Sequence, residues 1–396
     1  MRHGISRTLR WMAPGAVLFL AACSGEYPQT MLRPVTEYGR IQSDLWATVT
    51  WWTVGIMMVV FGALAYILVR FRARPGDPRP KPVYGSTGLE LAWTIGPAVI
   101  ILFIAIPTIQ AIFETQAEEP ADALVIEAIG HQWWWEFRYP AEGITTANQF
   151  YMPAGRPVAL RLRSADVIHS FWIPRLGGKK DVNPVVRTPE GVQPLHLNTI
   201  VFRPDSSGEF LGQCAEYCGT SHAIMRMLGR VVDAEDFGRW VDDIRTPVEP
   251  AGELAQRGRD IFMRSTCIAC HTIEGTTARG QLGPNLTHFG DRFSIGAGLM
   301  ENTQDNLAEW ILRAPELKDG VLMPGARSGA GGMPPTGLSR EDARAVAAYL
   351  VDLRRPLAGA RPAAAPADTL DAAAPADTLN APAPADTLNA PAAAPR

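Results

Sequence analysis

Two cysteines, a histidine and a methionine fall within one short run, Cys-Ala-Glu-Tyr-Cys-Gly-Thr-Ser-His-Ala-Ile-Met, as Cys214, Cys218, His222 and Met225. His169 stands upstream, in Asp-Val-Ile-His-Ser-Phe-Trp. Thiolate sulfur with imidazole is a ligand set for copper, and a single thioether suits a weak axial position. A mononuclear blue-copper site uses one cysteine. Two thiolates can bridge two copper ions with one histidine on each, so the residues imply a dinuclear centre for one-electron transfer.

A second constellation lies downstream. Cys267-Ile-Ala-Cys-His271 is the attachment signature of a c-type haem, with both thiols forming thioethers to the porphyrin and His271 supplying one axial ligand. A high potential calls for a soft second axial donor, and methionine provides it. Met323 in Val-Leu-Met-Pro-Gly and Met333 in Gly-Gly-Met-Pro-Pro are the candidates. Met323 is favoured, because Lys318-Asp-Gly-Val-Leu-Met-Pro resembles the ligand loop of small cytochromes c; residues 325–332 then read as a flexible insertion. The chain has 5 cysteines, and the remaining one, Cys23, follows an apolar stretch. None is left over for a disulfide framework, so cofactors account for the cysteine usage.

The elements that must position these groups can be read from the pattern. Arg2, Arg7 and Arg10 precede an apolar core and Leu-Ala-Ala-Cys, which predicts a lipoprotein-type signal peptide over residues 1–22 with Cys23 lipidated. An extracytoplasmic segment, 23–44, follows. Residues 45–69 and 91–113 contain no charged residue, and at about 20 residues per crossing both predict transmembrane helices. The loop between them, 70–90, carries Arg70, Arg72, Arg74, Arg79 and Lys81, an excess of basic charge that marks the cytoplasmic side. Everything after about residue 114 is then extracytoplasmic. Residues 120–245 are rich in short β-type runs punctuated by Pro and Gly, which predicts an antiparallel sandwich or barrel. Residues 251–356 read as helices around the haem motif, over 251–264, 305–313 and 342–353, with Ser339 placed to cap the last. Residues 357–396 repeat Ala-Pro-Ala-Asp-Thr-Leu with little apolar bulk, the composition of a disordered tether. The formal charge of −3 gives no reason to expect nucleic-acid binding.

With these motifs in view, residues 23–356 resemble subunit II of a haem–copper cytochrome c oxidase whose C-terminus carries a fused cytochrome c domain. The resemblance implies a two-helix membrane hairpin, a β-sandwich cupredoxin domain and an all-α class I cytochrome c domain. It implies that Cys214 and Cys218 bridge the coppers of a CuA centre, that His169 and His222 bind one copper each, and that Met225 and the carbonyl of Glu216 are further ligands. The Glu216 side chain would also reach a magnesium ion at the boundary with subunit I. In Gly130-His-Gln-Trp-Trp-Trp-Glu-Phe-Arg-Tyr139 the match to the residue where electrons enter falls on Trp133, with Trp134 and Trp135 open to a core role. Glu90 matches a glutamate at the mouth of a proton path into subunit I, although an acid in a helix's first turn also suits the dipole.

The partners implied are subunit I, with haem a and the haem–copper centre, and subunit III. The electron donor would be a small cytochrome c, a copper protein or a quinol-oxidising complex. Oxygen would be reduced, and protons pumped, in subunit I. The location implied is the bacterial cytoplasmic membrane. The span between His169 and Cys214, including 185–196 and His196, is longer than is usual in the family and reads as a surface insertion. His131 and His288 have no ligand-like context. Copper chaperones with a Cys-x-x-x-Cys motif and the copper module of nitrous oxide reductase share part of the pattern. The former lack the following His and Met, and the latter lacks the membrane hairpin with a fused haem.

Overall fold

The chain, as a computed structural model, is described over residues 27–355 apart from 74, 79–81, 83, 117, 189–190 and 195–196, with backbone alone at 185–188 and 191–194. The signal segment, Cys23, His196 and the Ala/Pro-rich tail lie outside the described residues. So do three of the five basic residues used above to orient the hairpin, Arg74, Arg79 and Lys81.

Two long helices come first: α1, Glu37–Arg70, and α2, Thr87–Glu114. Their middles are apolar all round and α2 buries no residue, whereas a core helix of a soluble domain would be covered. Trp52 and Phe103 stack between them, with ring centroids 5.6 Å apart. The first helix starts well before its uncharged run at residue 45. Thr36 caps it, its Oγ1 accepting from Gly39 N at 2.9 Å and donating to Leu176 O at 2.6 Å. Glu37 accepts from Arg203 N at 3.0 Å, Tyr38 is buried and Arg40 pairs with Asp205. The first turns of α1 are therefore docked on the β-domain, and apolarity alone could not reveal them.

The β-domain contains β1 Leu124–His131, β2 Trp134–Tyr139, β3 Ile144–Ala147, β4 Gln149–Pro153, β5 Val158–Ser164, β6 His169–Trp172, β7 Lys180–Val182, β10 Asn198–Phe202, β11 Gly208–Cys214 and β12 Arg226–Val232. One sheet runs β10-β5-β1-β2-β3 and the other β4-β12-β11-β6-β7. The span before Cys214 includes a separate hairpin, β8 Val185–Thr188 with β9 Gly191–Pro194. The prediction of an antiparallel domain holds for most pairings but not all: β1 with β5 and β4 with β12 run parallel. The chain crosses between sheets before each of these pairings, and such a crossover returns a strand in the same direction. Aromatic side chains fill the interior: Phe137 stacks on Phe150 at 4.4 Å, and Trp135 meets Phe171 edge-on at 5.7 Å. Trp240 of α3, Ala234–Ile244, closes one end against Tyr139 and Tyr151.

The last domain is helical: α4 Glu253–Arg264, α5 Cys267–Cys270, α6 Gln304–Leu317 and α7 Arg340–Asp352. Phe262, Leu307, Ile311, Val346, Tyr349 and Leu350 form its core. Ser339 caps α7 as its position predicts, accepting from Asp342 N at 3.1 Å. Helix α6 continues past residue 313, where Arg313 leaves helical geometry and so accommodates Pro315. The two extramembrane domains are hydrogen-bonded together: Gln149 bridges Asp291 O and Phe293 N, Arg226 N donates to Ala297 O, and His288 Nε2 donates to Ile244 O.

Candidate copper and haem sites

Strand pairing assembles the first site. β11 pairs with β6 through Cys214 and Phe171 and with β12 through Gln213 and Arg226, so the ends of three strands converge. Cys214 and Cys218 place their sulfurs 3.8 Å apart. His169 Nδ1 lies 3.8 Å from the Cys214 sulfur and His222 Nδ1 lies 3.5 Å from that of Cys218. The Met225 sulfur is 3.8 Å from Cys218, and the Glu216 carbonyl oxygen is 3.3 Å from Cys214. Cys214, Cys218, His169 and Met225 are buried. All the residues read from the sequence as copper ligands thus meet in one place. Two soft sulfurs, two imidazole nitrogens, a thioether and a carbonyl fit copper rather than a hard cation.

The electrostatics suit metal capture. The sulfurs share a negative charge: the Cys218 hydrogen bond draws Cys214 well below the thiol range, and that charge pushes Cys218 up. A thiophilic cation displaces the remaining proton. Burial works against charge on His169, but its hydrogen bonds to Asp166 and Cys214 prevail and hold it above the usual imidazole range. Asp166 Oδ1 accepts from His169 Nε2 at 2.8 Å, which leaves Nδ1 facing the sulfurs. Asp166 opens the Asp-Val-Ile-His segment that carries His169, and no role for its carboxylate follows from the sequence motif. An acid three residues before a candidate ligand was the available signal. Gly130 of β1 is also needed, since a Cβ there would lie 2.6 Å from the His169 ring.

Trp133 sits beside this site, and 7% of it is exposed. Its Nε1–H donates to Cys218 O at 3.0 Å, and Gln132 Nε2 donates to the same oxygen at 2.7 Å. The neighbouring tryptophans are structural: Trp135 is in the core, and Trp134 stacks on His131 at 4.1 Å. His131 bonds Glu136 at 2.9 Å and serves packing.

The second site needs less scaffold. Helix α5 is one turn, which puts Cys267 and Cys270 on one face. His271 donates from Nδ1 to Pro284 O at 2.8 Å, leaving Nε2 as the ligand atom, and burial pushes its pKa down to about 4. Neutral imidazole with two nearby thiols is the donor set a covalent haem requires, so the residues fit the group. Met323 packs on the domain core with Cys267 and Ile268, whereas Met333 closes a tight turn with Ala330. Glu216 is exposed at the surface of the β-domain, and Glu90 is exposed in the first turn of α2.

Three regions match known families. Residues 40–111 match "Cytochrome C oxidase subunit II, transmembrane domain", residues 142–232 match "Cytochrome C oxidase subunit II, periplasmic domain", and residues 255–354 match "Cytochrome c". Cytochrome c oxidase subunit 2 of Alkalihalophilus pseudofirmus is 35% identical over 345 residues, covering 85% of this chain and 94% of that protein. The protein of the same name from Bacillus subtilis is 32% identical, covering 78% and 89%. Among solved structures, the periplasmic domain of cytochrome oxidase subunit II from Bradyrhizobium japonicum is 31% identical, covering 31% of this chain and 94% of that one, with a TM-score of 0.27.

Proposed function

The chain belongs to the cytochrome c oxidase subunit II family and carries a cytochrome c domain, and from that premise we propose that it is where electrons enter a haem–copper oxidase and pass to subunit I. Bound copper and haem would each supply reversible one-electron chemistry. His169, Cys214, Glu216 O, Cys218, His222 and Met225 hold the two coppers, and Cys267, Cys270, His271 and Met323 hold the haem. The observation that carries this reading is the convergence of six soft or neutral donors in a buried pocket, with the haem domain seated beside it. Trp133 lies between, its indole bonded to the Cys218 carbonyl.

The remaining roles belong to the same proposal. The donor, a small cytochrome c, a copper protein or a quinol-oxidising complex, meets the haem domain. Subunit I, with its haem a, covers the apolar faces of α1 and α2, and subunit III completes the assembly in which oxygen is reduced and protons are pumped. Glu216, exposed and next to the copper loop, reaches magnesium at the subunit I boundary. Glu90, at the membrane edge, opens a proton path. Cys23 is the lipidated residue, and both extramembrane domains lie outside the bacterial cytoplasmic membrane. Purification of the membrane complex tests the proposal. Two coppers assigned to this chain, a near-infrared copper band and a covalent haem signal are expected. Haem without the copper band overturns it.

A further inference from the structure

The haem domain does more than lie beside the copper site. Helix α6 ends at Leu317, and the next residue, Lys318, is buried at 3% exposure. Its ammonium donates to Trp133 O at 2.7 Å, Ile224 O at 2.6 Å and Gly296 O at 2.8 Å. An ammonium has three donors, so this one is fully used. Burying a charged amine is costly unless its protons are satisfied. Here two of the three acceptors belong to the other domain: one is the carbonyl of Trp133, whose indole lies beside Cys218, and one, on Ile224, precedes Met225.

The next two residues extend the contact. Asp319 O accepts from Ser221 Oγ at 2.7 Å and Thr220 Oγ1 at 3.3 Å, both on the copper loop. Gly320 has φ +78°, and a Cβ there would lie 2.4 Å from the Trp133 ring. Only glycine permits this approach and this backbone. A short series of contacts therefore runs from the loop bearing Met323, through Gly320, to the Trp133 ring and its hydrogen bond with Cys218 O.

We propose that Lys318 and Gly320 are the positioning residues that seat the haem domain on the copper domain, so that the Met323 loop rests on Trp133. The assignment rests on the functional reading above, with the fused haem as the route to copper. It also places Trp133 under this chain's own domain, so a soluble donor reaches copper through the haem domain rather than at Trp133.

The test uses the full complex carrying Lys318→Met, Lys318→Arg or Gly320→Ala. Flash reduction of the haem gives the haem-to-copper rate. Lys318→Met and Gly320→Ala should slow it several-fold, because electron transfer falls off steeply as the two centres move apart. Lys318→Arg, which keeps charge and donors, should recover part of the rate. The near-infrared copper band, the haem absorption bands and copper-to-subunit-I transfer should stay as in the parent. Amide exchange over residues 219–225 and 318–322 should rise in Lys318→Met and Gly320→Ala, a readout independent of turnover. Parent rates and exchange in both variants would overturn the assignment, as would loss of the copper band together with the rate. If the parent itself shows no haem-to-copper transfer, the functional reading fails, and the exchange measurement still decides whether Lys318 seats the domain.

Discussion

The candidate copper and haem sites both gather donors suited to a metal, yet they use different amounts of fold to do it. At the copper site the donors come from β6, the end of β11, the loop after it and the residue before β12, and strand register brings these elements together. At the haem site one helical turn and the residue after it supply the thiols and the first axial ligand. The methionine proposed as second axial ligand lies on the loop between α6 and α7, which contains no strand or helix. Register can bring several donors together at once. Covalent attachment fixes the porphyrin instead and leaves its last ligand to a loop. The haem site should therefore depend on one residue for its distal ligand, and the copper site on the groups that orient its ligands.

The largest effect is expected where the scaffold is thinnest. Met323→Leu should abolish the low-spin methionine-ligand absorption band and lower the haem potential by on the order of 0.1 V, since axial ligands span about 0.8 V. Met333→Leu should leave both unchanged, because its turn holds it apart from the residues packed on the core. The reverse outcome would make residues 325–332 part of the ligand loop rather than an insertion. Optical and potentiometric titration of the two variants decides it.

The next effect probes orientation at the copper site. The two histidines are steered differently, His169 by the Asp166 carboxylate and His271 by the Pro284 carbonyl. Asp166→Ala should lower copper affinity about 10- to 100-fold while leaving haem attachment intact. Competition with a chelator gives the affinity, and the haem spectrum is the internal control. Unchanged affinity would mean that sheet register alone orients His169, and the contrast between the sites would sharpen further.

How far the sequence could be read follows from the same contrast. The candidate ligands stand out in the sequence because copper and haem chemistry restrict residue type at short spacing, as in Cys214–Met225 and Cys267–His271. The membrane spans were legible because a bilayer demands long uncharged runs. The docked first turns of α1, the parallel pairings and Asp166 were not, since each depends on what the fold brings alongside. Lys318 is the clearest case. It was read as part of a haem-ligand loop, and nothing local to it indicates that two of its three acceptors lie in the preceding domain. Contacts between domains leave no periodicity for a sequence to show.

The smallest expected effect falls at the interface that joins the two sites. His288 donates to Ile244 O, has Asp291 at 3.8 Å, and is held below the usual imidazole range by burial and by Arg355, against the pull of Asp243. Its folded form is thus neutral, and opening the interface lets it bind a proton. Because the open form binds more protons, the docked form loses stability as pH falls through the ordinary imidazole value of about 6.5 and regains it above. Asp291 acts with the opposite sign: burial, opposed by the Arg355 N–H and by Arg230, raises its carboxyl above the usual range, so acid favours its docked form. A net rise in amide exchange over residues 285–293 between about pH 7.5 and 5.5, corrected for intrinsic rates, therefore isolates the histidine. His288→Gln should flatten that rise. Strands β6 and β11 should keep their protection throughout, because their histidine, His169, is shifted in the opposite direction. Equal loosening of β6 and β11 over the same window would show that the copper site depends on the haem domain for its shape, and register would no longer suffice to explain it.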